Sequence, residues 1–194
     1  MHKVTHSMRP IGGLGNQMFQ VACAIGYSIK HGHYPVFNIP KSPHEKSLDY
    51  TKHSFHKLNT GCVRDAYTVR EKEFGLYRDT PFVDEDVSFS GYFQSPRYFV
   101  DEDYIAQLLS CPEEDEKDIR KRYTDILKKN TVSIHVRRGD YLSLSQWGYS
   151  GLAAEYYEKC LSMVKHDMIL CFSDDIEWCR RNLNFKTLAG KTCS

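Results

Sequence analysis

Two adjacent arginines are the residues in this chain best suited to hold an anion. They stand in HVRRGDY, residues 135–141, directly after Thr131–Val136, whose alternating β-branched and apolar residues predict a strand. In an α/β sheet, ligands gather beyond the carboxyl ends of the strands. Gly139 lets the loop turn sharply, and Asp140 is placed to pin one guanidinium while the other stays free. A free, fixed guanidinium suits a phosphate or diphosphate through paired hydrogen bonds. An Arg–Asp pair that only holds a surface loop fits the same residues. A second signal is GGLGNQ, residues 12–17. Gly12, Gly13 and Gly15 would open a helix with bare amides at its positive end, and Asn16 can cap it. The run is neither GxGxxG nor a P-loop, and a tight turn explains it equally well. In FSDD, residues 172–175, Ser173 or Asp174 can cap the next helix, and two carboxylates without a partner cluster make a weak metal case. The histidines at 31, 33, 53 and 56 lack further ligands and read as surface or core residues.

The elements that must position these groups follow from periodicity. Met18, Val21, Ala22, Ile25 and Ile29 predict a helix over Gln17–Lys30, with Gly32 just past its end. Tyr34–Ile39 reads as a short strand. Residues 41–83 read as loops and short helices. A strand is expected at Val87–Phe93, then Ser95–Pro96 as a helix start, with Phe99, Tyr104, Ile105, Leu108 and Leu109 along one apolar face. The acidic start EEDEKD and basic end KKN predict another helix with Ile119, Tyr123, Ile126 and Leu127 inward. After the strand, Arg137–Tyr141 reads as a loop. A helix is expected over Ala153–Val164 with Tyr156, Cys160, Leu161 and Val164 inward, and a strand at Met168–Phe172 covered on both faces. A helix at Ile176–Asn182 and a further strand at Phe185–Leu188 complete the rhythm of a parallel α/β sheet.

Composition bounds the function. The chain has 194 residues, 26 basic and 25 acidic, with a formal charge of +1. That balance argues against nucleic acid as a partner. The apolar stretches are far too short for a membrane span, and the opening MHKVTHSMRPIGG has no apolar h-region, so a cytoplasmic protein is expected. Seven cysteines, an odd number with no CxxC pair, read as reduced and buried thiols.

In order, GGLGNQMFQ near the start, GYFQSPRYF at 91–99, HVRRGDY, EYYEKC at 155–160 and FSDDIEWC at 172–179 resemble glycosyltransferase family 11, the α-1,2-fucosyltransferases. The resemblance spans residues 11 to about 183. It implies a GT-B-like fold of two Rossmann-like α/β domains facing a cleft, with residues 1–130 on the acceptor side and 131–194 binding the donor. It implies GDP-fucose as donor, a glycan acceptor such as a terminal galactoside, inversion at the anomeric centre, and no metal. Arg137 would grip the donor diphosphate, with Arg138 supporting it and Asp140 holding the loop. GGLGNQ would face that loop, with Asn16 and Gln17 near donor or acceptor and Ser173 and Asp174 on the donor side. Asp140 and His135 are the candidate bases. The family continues past FSDD to a segment of the type NSTFSWW that helps form the nucleotide pocket. This chain ends at Ser194 without it, so the second domain is expected to be truncated. The alternative is a non-catalytic homologue that binds GDP or a glycan, or that needs a partner segment. A phosphate-binding module unrelated to sugars and a protein O-fucosyltransferase are further readings, and the latter fits GGLGNQMFQ and GYFQS less well.

Overall fold

Four short parallel strands organise the first part of the chain. β1 (Lys3–His6) is followed by helix α1 (Leu14–His31), then β2 (Tyr34–Pro35), β3 (Tyr67–Arg70) and β4 (Val87–Ser90). The sheet order is β2-β1-β4-β3, all parallel. This is a computed structural model, and it describes residues 1–6, 12–39, 50–144, 146, 148 and 151–183. The expected strand at Phe185–Leu188 lies outside the described residues. The chain divides into two compact units, Met1–Glu116 and Lys117–Ser194.

In the first unit, Val4, Val21, Val87 and Phe89 are fully buried and tie α1 to β1 and β4. Each such side chain is worth about 1.5–3 kcal/mol on removal from water. The helix starts three residues earlier than expected, with Gly13 as its N-cap and no side-chain cap bond, so Asn16 lies inside the helix and does not cap it. It ends as expected at Gly32, in the left-handed region at φ 73°, whose N–H donates to the Ser28 carbonyl. Burial is continuous from Gln20 to Ser28, more than a single apolar face. The cover on one flank is the 3₁₀ turn Pro96–Tyr98, and a Cβ on Gly26 would sit 2.1 Å from the Tyr98 carbonyl oxygen.

Several expectations need correction. The predicted long helix after Ser95 breaks into that 3₁₀ turn and α2 (Glu102–Leu108), which starts afresh where Asp101 accepts from the Tyr104 N–H. The strand predicted over Tyr34–Ile39 is only two residues long, followed by a bridge from Phe37 to Thr60. β1 and β3 are strands that periodicity did not flag. α3 (Glu113–Arg122) has the expected acidic start and basic end, but α3 and α4 (Thr124–Leu127) bury no residue, and Ile119 and Leu127 are exposed.

The second unit pairs β5 (Thr131–Val136) with β6 (Met168–Ser173) in parallel, through six consecutive partners from Thr131↔Met168 to Val136↔Ser173. α5 (Gly139–Ser143) begins inside the span read as a loop. α6 (Ala154–Ser162) turns Tyr157 and Leu161 inward, Leu161 as expected, whereas Tyr156 and Val164 are exposed. α7 (Ile176–Asn182) matches its expected limits. Val136, Tyr157, Cys171, Cys179 and Leu183 form the core. β6 is not covered on both faces, since Phe172 is half exposed and pairs in register with exposed His135. Among the described residues six cysteines are free, and two of these, Cys62 and Cys111, are exposed and not buried as expected. Burial, reinforced by neighbouring Cys179, pushes the Cys171 thiol up to about 12. No helix among the described residues is long and apolar enough to cross a membrane.

Candidate active-site loops

The register of β5 and β6 brings their carboxyl ends level, so Arg137 and Arg138 emerge beside Asp174 and Asp175. Ser173 locks the junction, its hydroxyl donating to the Val136 carbonyl at 2.7 Å and accepting from the Asp175 N–H at 2.9 Å. Asp174 accepts from the N–H groups of Arg138 at 2.8 Å and Gly139 at 3.1 Å. A Cβ on Gly139 would lie 2.8 Å from an Asp174 oxygen, so this glycine is set by close approach. Asp175, and neither Ser173 nor Asp174, caps α7, accepting from the Trp178 N–H at 3.0 Å.

The two guanidinium groups are held differently, and neither is without a carboxylate, contrary to the reading that one stays free. Arg138 donates from Nε to Asp175 at 3.3 Å and lies 4.0 Å over the Trp178 ring. Only 17% of its side chain is exposed. Arg137 grips Asp140 from both Nε, at 3.1 Å, and Nη2, at 2.7 Å, and lies 4.5 Å over the Tyr141 ring. About half of each side chain in this second pair is exposed, 49% and 51%. Hydrogen bonding to Arg137 holds the Asp140 carboxyl below the ordinary aspartate range, and the same bond raises Arg137. A carboxylate stabilised in this way is a weak proton acceptor. Because the folded value is depressed, its stabilising contribution is present above the unfolded pKa and is lost only as pH falls through the lower folded value. A carbon-detected NMR titration should place the Asp140 midpoint below that of an exposed aspartate, and Arg137→Gln should raise it. An unchanged midpoint would exclude the pair in solution. His135 stands on the exposed side of β5, one residue before buried Val136.

In the first unit, GGLGNQ meets the segment after β4. β2 lies on one side of β1 and β4 on the other, so the carboxyl ends of β1 and β4 flank the switch point where α/β sheets form their crevice. There His6 contacts the Gly91 carbonyl at 2.9 Å, and Gln94 Nε2 donates to Asn16 Oδ1 at 2.5 Å. Gly12 has φ 81° with Asn16 folded beneath it, and Gln17 Nε2 donates to the Gly12 carbonyl at 2.8 Å. Side chains added at Gly13 or Gly15 would meet nothing within 4 Å. The turn opposite is held by Glu71, which accepts from the N–H groups of Tyr92 at 2.7 Å and Phe93 at 3.2 Å. Phe93 has φ 51°, a left-handed conformation that bulky residues rarely adopt.

A protein-family model described as Glycosyl transferase family 11 matches residues 2–191. The chain belongs to glycosyl transferase family 11. This family 11 chain is 26% identical to an alpha-1,2-colitosyltransferase of Escherichia coli, over 91% of its own length and 71% of that protein. It is 24% identical to a galactoside 2-alpha-L-fucosyltransferase of Caenorhabditis elegans, over 88% of its own length and 52% of that protein. Its fold resembles the crystal structure of NodZ alpha-1,6-fucosyltransferase soaked with GDP-fucose, with a TM-score of 0.58 at 14% identity, over 99% of this chain and 79% of that one. Its chemistry is therefore glycosyl transfer.

In this family 11 chain, Arg137, Arg138, Asp140, Ser173 and Asp174 stand together at the level strand ends. The sequence analysis did not single out Asp175 and Trp178 as partners of Arg138, Gln94 as a support of the glycine turn, or Glu71 as the holder of the turn opposite. The signal for Asp175 was available, because it is the last acid before α7 and so the natural cap. Glu71 is separated from its amides by a whole strand and left no local trace. Asp174→Asn keeps one acceptor oxygen and should leave one loop amide poorly paired. A loss of about 0.5–1.5 kcal/mol is expected in urea unfolding, with a shifted Gly139 amide resonance. Unchanged stability and resonance would refute the capping role.

Proposed function

We propose that this chain transfers L-fucose from GDP-fucose to the 2-hydroxyl of a galactoside with inversion. The observation that carries the reading is the loop held at the level ends of β5 and β6, with Arg137 half exposed beside a backbone fixed by Asp174. Two relatives named for 1,2-type sugar transfer support the linkage, and a structural neighbour soaked with GDP-fucose supports the donor. Residues 1–130 then correspond to the acceptor side and 131–194 to the donor side of a GT-B-like fold, with Gly12, Gly13, Gly15, Asn16 and Gln17 the candidates on the first and the arginines the candidates on the second.

The acceptor oxygen attacks the anomeric carbon from the face opposite GDP. The bond from that carbon to the bridging phosphate oxygen breaks, and its electron pair stays on GDP. Negative charge grows on the diphosphate, and Arg137 meets it there without a metal, binding the transition state more tightly than the ground state. Arg138, Ser173 and Asp174 act on the donor through the loop they hold. The acceptor proton passes to a base, for which Asp140 is the poorer candidate and His135 the better, given the hold of Arg137 on Asp140. Colitose in place of fucose is a second reading, favoured by the Escherichia coli relative that aligns over 91% of the chain.

Calorimetric titration with GDP, ADP and UDP tests the donor. Selective GDP binding that Arg137→Ala removes supports the reading, and equal or absent binding by a folded chain overturns it. Turnover with GDP-fucose set against GDP-colitose then separates the two sugars.

A further inference from the structure

The first unit carries a cleft of about 690 Å³ along the edge strand β3, within the range of small-molecule sites. One wall is Tyr67–Lys72, the other runs from Leu76 to Pro81, and Phe93 and Tyr98 line it as well. Five charged side chains line it, and their partners decide what it can take. Glu71 is committed to the backbone N–H groups of Tyr92 and Phe93. Asp79 is committed to Lys30 at 2.6 Å, and Arg78 to Glu73. Arg70 and Lys72 remain, both exposed and neither in an ion pair with a described carboxylate. They stand two residues apart, the spacing that puts side chains on one side of an extended chain. Exposed Leu76, on the other wall, adds apolar surface on which the carbon face of a sugar ring can rest. Thr68 and Thr80 add hydroxyls.

From this arrangement we infer that the β3 cleft binds an acidic saccharide, with Arg70 and Lys72 on its carboxylate or phosphate and the Leu76–Pro81 wall against its ring. The inference rests on the reading of the chain as a transferase acting on a glycan, and it makes that glycan anionic. A guanidinium and an ammonium on one side of a cleft form a paired anion site, and the recessed walls strengthen their field.

The test is saturation-transfer NMR on the full chain with three matched probes: galactose, galacturonic acid and galactose 6-phosphate. Both acidic probes should bind at least tenfold more tightly than galactose at low salt, and the stronger of them names the acidic group. Arg70→Gln combined with Lys72→Gln should erase the preference. Should that pair fail to fold, Lys72→Glu alone should invert it. Equal binding of all three probes, or a preference that survives substitution, overturns the inference. GDP titrated in parallel reports separately on the donor. Acidic probes binding without GDP would sink the transferase reading and leave the cleft standing, whereas GDP binding without acidic preference would do the reverse.

Discussion

Arg137→Ala should lower kcat for sugar transfer by at least about a hundredfold, equivalent to roughly 3 kcal/mol of lost charge stabilisation, while the chain melts at nearly its original temperature. The two halves of this expectation have separate physical origins. Arg137 is half exposed and its partner Asp140 equally so, and an exposed pair contributes only about 0–1 kcal/mol to folding. Under the proposed transfer, its value lies in the field it provides as charge develops on the leaving diphosphate. Asp140 occupies Nε and Nη2, which orients the plane of the guanidinium and leaves its other edge to turn toward the donor. Arg137→Lys should recover little, because an ammonium offers no planar fork. Arg138→Ala is the informative contrast. It removes a side chain sandwiched between Asp175 and Trp178, so stability and activity should fall together. Steady-state rates and thermal melts on the same preparations decide the matter. An Arg137→Ala enzyme with normal kcat would refute the diphosphate role.

Gly26→Ala should destabilise the first unit by about 1–3 kcal/mol or more, against the direction of helix propensity. In an exposed helix the same change stabilises by about 1 kcal/mol. Here the new methyl would arrive 2.1 Å from the Tyr98 carbonyl oxygen and 3.2 Å from its carbon, a contact with backbone and not with a side chain that could swing away. The 3₁₀ turn cannot easily retreat. Ser95 caps it by accepting from the Arg97 N–H at 3.4 Å, and Tyr98 is wedged against Phe93 with ring centres 5.5 Å apart. Phe93 in turn packs on Phe89 of β4 at 5.2 Å. Displacement would therefore run into the turn that faces GGLGNQ, and activity should fall with stability. A Gly26→Ala chain that melts at the same or a higher temperature would show that helix and turn are not packed this closely.

What could be read from the chain beforehand depended on whether the cause was local. Thr131–Val136 and Ile176–Asn182 were found within their observed limits because alternation, a cap and helical spacing all lie inside the segment. That Asp140 would hold one of the two arginines was legible for the same reason, although which of them was not. β1 was not, because Thr5 and His6 look polar and are buried by partners distant in sequence. β3 was hidden likewise, as an edge strand with an exposed Tyr67. Asp101 restarts a helix that periodicity carries straight through from Ser95, so a cap overruled the spacing. In α6 Leu161 faces inward as expected, but Tyr157 takes the place read for Tyr156, because the two are chemically alike and only packing distinguishes them. The second carboxylate on Arg138 required the register of β5 against β6, which no local pattern encodes.

That register also makes β5 and β6 a ruler. Their lengths, six residues each between Thr131 and Val136 and between Met168 and Ser173, set where two positive charges meet two negative ones. Deleting one residue from either strand would move one pair past the other by about 3.3 Å and turn alternate side chains to the opposite face. Substitutions along these strands can be tolerated wherever volume and polarity are kept, but a change in length of a single residue cannot. The loop geometry of the second unit is therefore written as a count of residues as much as in their identities.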